Sequence, residues 1–61
     1  MRSYLDRGYV ITCKVKHSLT YVVLKSYWSE INPYMIMNVS MNKSIVRVET
    51  YNEAKEIISN L

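Results

Sequence analysis

Residues 45–61 read IVRVETYNEAKEIISNL, a short alternating strand that runs straight into a helix. Thr50 is a favourable N-cap, and Glu53 three residues later completes a capping box in which each side chain satisfies a backbone donor. Ala54, Ile57, Ile58 and Leu61 then recur at i, i+3, i+4 and i+7, which places them on one helical face. Such a stripe has to be buried, and the rest of the chain offers only a sheet to bury it against.

Upstream of this module the pattern is that of strands. From Tyr9 to Lys16, Tyr9, Ile11, Cys13 and Val15 alternate with Val10, Thr12, Lys14 and Lys16. A second strand covers Tyr21 to Trp28, reached through His17, Ser18, Leu19 and Thr20. A two- or four-residue hairpin loop there is expected to set Lys16 opposite Tyr21. That register pairs Val15 with Val22, Cys13 with Leu24, Ile11 with Ser26 and Tyr9 with Trp28 on one face. Pro33 breaks the connection that follows. Asn32 as N-cap with Pro33 at N1 suits a helix start, yet Met35, Met37, Val39 and Met41 alternate with Ile36, Asn38, Ser40 and Asn42, and the alternation favours a strand over residues 33–42. A last strand carries Val46 and Val48 inward, Arg47 and Glu49 outward.

The expected fold is therefore α+β, a four-stranded antiparallel meander with one C-terminal helix packed on one face (ββββα). The helix is expected over the face lined by Ile11, Val15, Leu24, Met37, Val39 and Val46. The alternating methionines read as adaptable core filler or, where the helix leaves the sheet uncovered, as a subunit interface. In that case Tyr34 and Ile36 form an exposed apolar patch on the opposite side.

Sixty-one residues make one domain, residues 1–61, with a marginal core. Small domains add disulfides, a metal or a partner subunit. With one cysteine and one histidine the chain forms no internal disulfide and no closed four-ligand zinc site. A homodimer is the remaining route, with Tyr51, Ile58 and Leu61 as its expected interface. No stretch reaches the roughly 20 apolar residues of a membrane span, and none has the make-up of a signal peptide. A cytoplasmic setting is expected, and the unpaired Cys13 agrees with it.

Catalytic residues are scarce. Cys13 and His17, the one nucleophile–base pair to consider, stand four apart on a strand, about 13 Å between Cα atoms and far beyond hydrogen-bond reach. Cys13 reads as a buried structural cysteine and His17 as a solvated turn residue. Gly8 is the only glycine, so there is no phosphate-binding loop. No enzyme, metal or cofactor is expected.

Charge and aromatic content point instead to binding. The net charge is +3, and the cations concentrate in the first half, where Arg2, Arg7, Lys14, Lys16 and Lys25 stand against Asp6. Six tyrosines and one tryptophan occur without a phenylalanine, a balance suited to half-exposed surfaces. In the expected register the outer face of the first hairpin gathers Lys14, Lys16, Tyr21, Lys25 and Tyr27, with Arg47 facing outward on the last strand. Aromatic rings between cations are what single-stranded DNA or RNA requires. The same face also reads as a protein-binding surface, or as an ordinary solvated sheet face whose lysines discourage edge association.

Two resemblances accompany these residues. The strand followed by Thr50-x-x-Glu53-Ala54 and an isoleucine-rich helix resembles the ending of small phage and mobile-element accessory proteins, anti-CRISPR proteins among them. That resemblance implies a non-catalytic factor which inhibits or modulates a host macromolecule such as a defence or nucleic-acid enzyme. The order of elements is also similar to the single-strand-binding transcriptional coactivator fold, which dimerises through its helices and binds single strands on its sheet. There it implies a binding role for Lys14, Lys16, Lys25 and Tyr27.

Overall fold

The computed structural model describes residues 4–61; residues 1–3, with Arg2 and the start of the N-terminal lead-in, lie outside that description. A single 3-10 turn over Tyr4–Asp6 leads into β1 (Gly8–Lys16), β2 (Leu19–Ser26), β3 (Tyr34–Asn38), β4 (Lys43–Val48) and helix α1 (Tyr51–Ser59). The strands form one antiparallel sheet in the order β1-β2-β3-β4, with α1 packed against it. This is the ββββα arrangement that the helix cap and the strand alternation require. Its Cα extents, 33 × 30 × 15 Å, describe a slab one sheet and one helix thick.

The register of the first hairpin differs from the expected one. Lys16 pairs with Leu19, so the loop is two residues long, and Lys14 rather than Lys16 faces Tyr21. His17 and Ser18 both have positive φ, 53° and 66°, the signature of a type I′ turn whose twist matches that of the flanking strands. Neither residue is the glycine or asparagine that would announce such a turn. Between Val10 and Thr12 the register shifts again, leaving Ile11 as the extra residue of a bulge. Tyr9 consequently pairs with Lys25, not Trp28, and Val10 with Leu24, not Tyr27.

Gly8 meets this strand pair at its closest approach. A Cβ there would collide with the Lys25 carbonyl group, so only glycine fits against the β2 backbone. The 33–42 segment is a strand, but a short one. β3 stops at Asn38, and Val39–Asn42 turn the chain, with the Asn42 N–H donating to the Val39 carbonyl oxygen at 3.1 Å. Met41 lies exposed in that turn.

Both central strands are buried on both faces, because β2 and β3 carry apolar residues at successive positions rather than alternate ones. Among the described residues the core divides accordingly. Val23, Ile36, Val48, Ala54 and Ile58 form the cluster under the helix, with Ile11, Tyr21, Tyr34, Tyr51, Ile57 and Leu61 packed around it. Val22, Leu24, Met35 and Met37, with Val39, form the cluster on the opposite face.

The expected helix-covered face thus mixed two sides. Ile11 packs under the helix, and Val46 pairs with Ile36 on that side, whereas Leu24, Met37 and Val39 belong to the other cluster and Val15 is exposed. Ile36, expected in an exposed patch, is fully buried. Cys13, expected to be buried, is exposed on the edge strand β1.

The helix itself follows its sequence signals. The Thr50 hydroxyl accepts from the Glu53 N–H at 3.2 Å. The Glu53 carboxylate accepts from that same hydroxyl at 3.1 Å rather than reaching the Thr50 N–H, so the box closes side chain to side chain. Ala54 and Ile58 are the fully engaged members of the stripe.

Candidate nucleic-acid interface

The register change redistributes the six residues expected to act together. Lys14 and Lys16 project on the helix side of β1 rather than on the uncovered face expected for them, and their ammonium groups go to the helix end. Lys14 Nζ donates to the Ser59 carbonyl oxygen at 2.8 Å, and Lys16 Nζ to that of Leu61. The Ser59 carbonyl belongs to the last turn, whose carbonyls lack partners within the helix, and cations beside that end complement the negative pole of the helix dipole. Tyr21 packs half-buried against the same cluster.

Arg47 lies on the other face, opposite Met35. Its Nη2 donates to Glu30 Oε1 and its Nε to the Asn32 carbonyl oxygen. The structure therefore keeps Lys14, Lys16, Tyr21 and Lys25 on one face of the sheet, with Lys14 and Lys16 drawn to the helix end, and puts Arg47 on the other face. It also engages the expected dimer residues within the chain: Ile58 is buried in the core, and Tyr51 and Leu61 pack on the same cluster.

Lys25 and Tyr27 belong to a different assembly. Tyr9, Lys25, Tyr34 and Val48 are successive cross-strand partners, one row running over β1, β2, β3 and β4. Direct partners share a face of the sheet. Tyr27, two residues past Lys25, sets its ring 6.0 Å from that of Tyr9, and Trp28 meets Tyr27 edge-on at 6.1 Å. On the other side of Lys25 its Nζ stands 5.8 Å from the Tyr34 ring centroid. Tyr34 in turn lies 6.0 Å from Tyr51 of the helix, and Lys55 Nζ sits 5.5 Å from the Tyr51 ring.

The result is one continuous line, Trp28–Tyr27–Tyr9–Lys25–Tyr34–Tyr51–Lys55, of five aromatic rings and two ammonium groups. Tyr34 and Tyr51 are half-buried, while Tyr9, Tyr27 and Trp28 remain 48%, 59% and 60% exposed. These three rings are the part of the line that a ligand can reach. Lys25 also donates to the Ser26 carbonyl oxygen at 3.4 Å, which leaves further ammonium protons for an anion.

Sequence reasoning missed Tyr9, Tyr34, Tyr51, Trp28 and Lys55 as members of this line. The bulge brought Tyr9 into it, since a strand with an extra residue at Ile11 places Tyr9 beside Lys25. Nothing in the residue types alone marks that position.

Among the described residues no three His, Cys, Asp or Glu side chains come together as metal ligands, and no helix is long and apolar enough to cross a membrane. No family model, curated protein or solved structure matches this chain.

Proposed function

We propose that this protein is a small non-catalytic binding protein that holds single-stranded DNA or RNA along the line from Trp28 to Lys55. The observation that carries this reading is the cross-strand row Tyr9–Lys25–Tyr34, which interleaves rings with a cation on one face of the sheet. Stacking of a base on an aromatic side chain contributes about 1–3 kcal/mol and tolerates any sequence, while an ammonium between rings meets phosphate. Lys25 and Lys55 are the cations of the line, so the electrostatic share is small and stacking dominates.

Fluorescence anisotropy of a labelled oligo(dT) tests it. Binding at ~50 mM salt with a log–log salt slope of about −1.4, the value for two phosphate contacts, is expected. Absence of binding at that salt sinks the reading.

A second reading rests on the 27–33 connection, where Trp28 and Ile31 are 60% and 84% exposed. Large exposed aromatic and aliphatic side chains are the usual anchors of a protein interface. In that reading the chain is a phage or mobile-element factor, of the anti-CRISPR or other anti-defence kind, that occludes a host protein. Retention of one host protein on the immobilised chain, lost with Ile31→Asp, supports it; retention unchanged by Ile31→Asp argues against it.

A further inference from the structure

On the face away from the helix, the line of rings ends at a cleft. Its volume is about 370 Å³, near the lower end of what small-molecule sites occupy and large enough for a nucleobase. Leu24 and Met35 form an apolar floor and Trp28 a side wall. The indole is thus shared between the cleft and the edge-on contact with Tyr27.

The polar groups at the rim are held in fixed positions. Ser26 Oγ donates to Glu30 Oε2 at 2.6 Å and accepts from the Trp28 N–H at 3.1 Å. Arg47 holds the other carboxylate oxygen, and its Nε is fixed on the Asn32 carbonyl oxygen. The Ser26 N–H donates to the Pro33 carbonyl oxygen at 2.8 Å, which ties the whole connection to the end of β2. A carboxylate has about four lone-pair positions, and these contacts occupy one on each oxygen. The Glu30 and Arg47 side chains remain 37% and 38% exposed.

We propose that this cleft is a guanine site, which rests on the single-strand reading above and extends it. Glu30 presents two adjacent acceptors, and beside it the Arg47 guanidinium retains N–H donors. Guanine offers the complementary edge, with N1–H and N2–H as neighbouring donors and O6 as the acceptor next to them. Adenine and cytosine turn an acceptor nitrogen toward the carboxylate, and uracil or thymine brings one donor between two acceptors. Arg7, Arg47, Asp6 and Glu30 line the rim, and a cation directed at Glu30 meets Arg47 already in place. A neutral planar ring seated on the indole satisfies all of these conditions.

Trp28 is the only tryptophan in the chain, so its emission reports on the cleft directly. Wild-type protein titrated with GMP, AMP, CMP and UMP is expected to show a saturating change with GMP at a concentration at least tenfold below that for the other three. In a second arm, an oligo(dT) carrying one central dG binds at least fivefold more tightly than one carrying dA, and Glu30→Gln removes the difference. An equal response to all four nucleotides, or none, overturns the guanine assignment. If oligo(dT) still binds in that event, the line of rings stands and only the cleft is misassigned. If oligo(dT) fails as well, both readings fall. GMP saturation without oligo(dT) binding supports the cleft and removes the line.

Discussion

Lys14 reaches from the edge strand to the last turn of the helix, where its ammonium lies 2.8 Å from the carbonyl oxygen of Ser59. A residue that composition marks as part of a basic binding face is in this way a clamp between sheet and helix. Its neighbour Lys16 does the same at Leu61.

Lys14→Met therefore acts on stability. It removes a charge-assisted hydrogen bond at the helix C-terminus, a loss of about 0.5–1 kcal/mol, which in a domain of this size lowers Tm by roughly 2–8 °C. Oligo(dT) affinity stays within a factor of about two. Thermal denaturation and anisotropy on the same variant check both halves, and an unchanged Tm with lost binding would return Lys14 to the binding surface.

Gly8→Ala is expected to be far more damaging than its single methyl group suggests. The added Cβ meets the Lys25 backbone, which has no rotamer with which to move aside. Overpacking of this kind costs about 1–3 kcal/mol. Because Lys25 is the centre of the ring line, oligonucleotide affinity falls together with Tm. Urea titration of the variant reads the first effect and anisotropy the second.

The His17–Ser18 turn offers the opposite outcome. Both residues sit at positive φ, where side chains are strained. Replacing the pair with Asn-Gly, the preferred type I′ dipeptide, relieves that strain, partly offset by the greater freedom of glycine in the unfolded chain. A net gain on the order of 0.5–1 kcal/mol is expected, read as a rise in Tm. No rise, or a fall, would contradict the turn geometry.

The helix, its Thr50 cap and the number of strands were legible in the sequence because each rests on local chemistry. Capping pairs, a 3.6-residue stripe and strand alternation are all visible within ten residues. The face on which the helix lies was not legible. Tyr21, Val22, Val23 and Leu24 are apolar on both parities, as are Tyr34, Met35, Ile36 and Met37, so the pattern supports either side. Two features of the first hairpin, also unmarked in the sequence, settled which side chains became neighbours. The two-residue turn moved β1 against β2 by two positions, and the Ile11 bulge then carried Tyr9 to the side of Lys25. The candidate site shifted with them: Lys25 and Tyr27 stayed in it, Lys14 and Lys16 went to the helix end, and Arg47 went to Glu30.

Stacking strength along the line is open to direct mutation. Tyr27 is exposed and is flanked by Tyr9 and Trp28. Tyr27→Ala is therefore expected to leave Tm nearly unchanged while weakening oligo(dT) binding by about 1–3 kcal/mol, on the order of 5- to 150-fold. Tyr27→Phe retains the ring and most of the affinity, and equilibrium anisotropy separates the two variants.

If Tyr9, Lys25, Tyr27, Trp28 and Tyr34 form one binding surface, an NMR titration of the ¹⁵N-labelled chain with oligo(dT) will map it. Amide and indole shifts are expected to cluster at those five positions and at Tyr51 and Lys55, with the exposed β4 positions Ile45 and Val46 unaffected. Shifts centred on β4, or no shifts at saturating oligonucleotide, would contradict it.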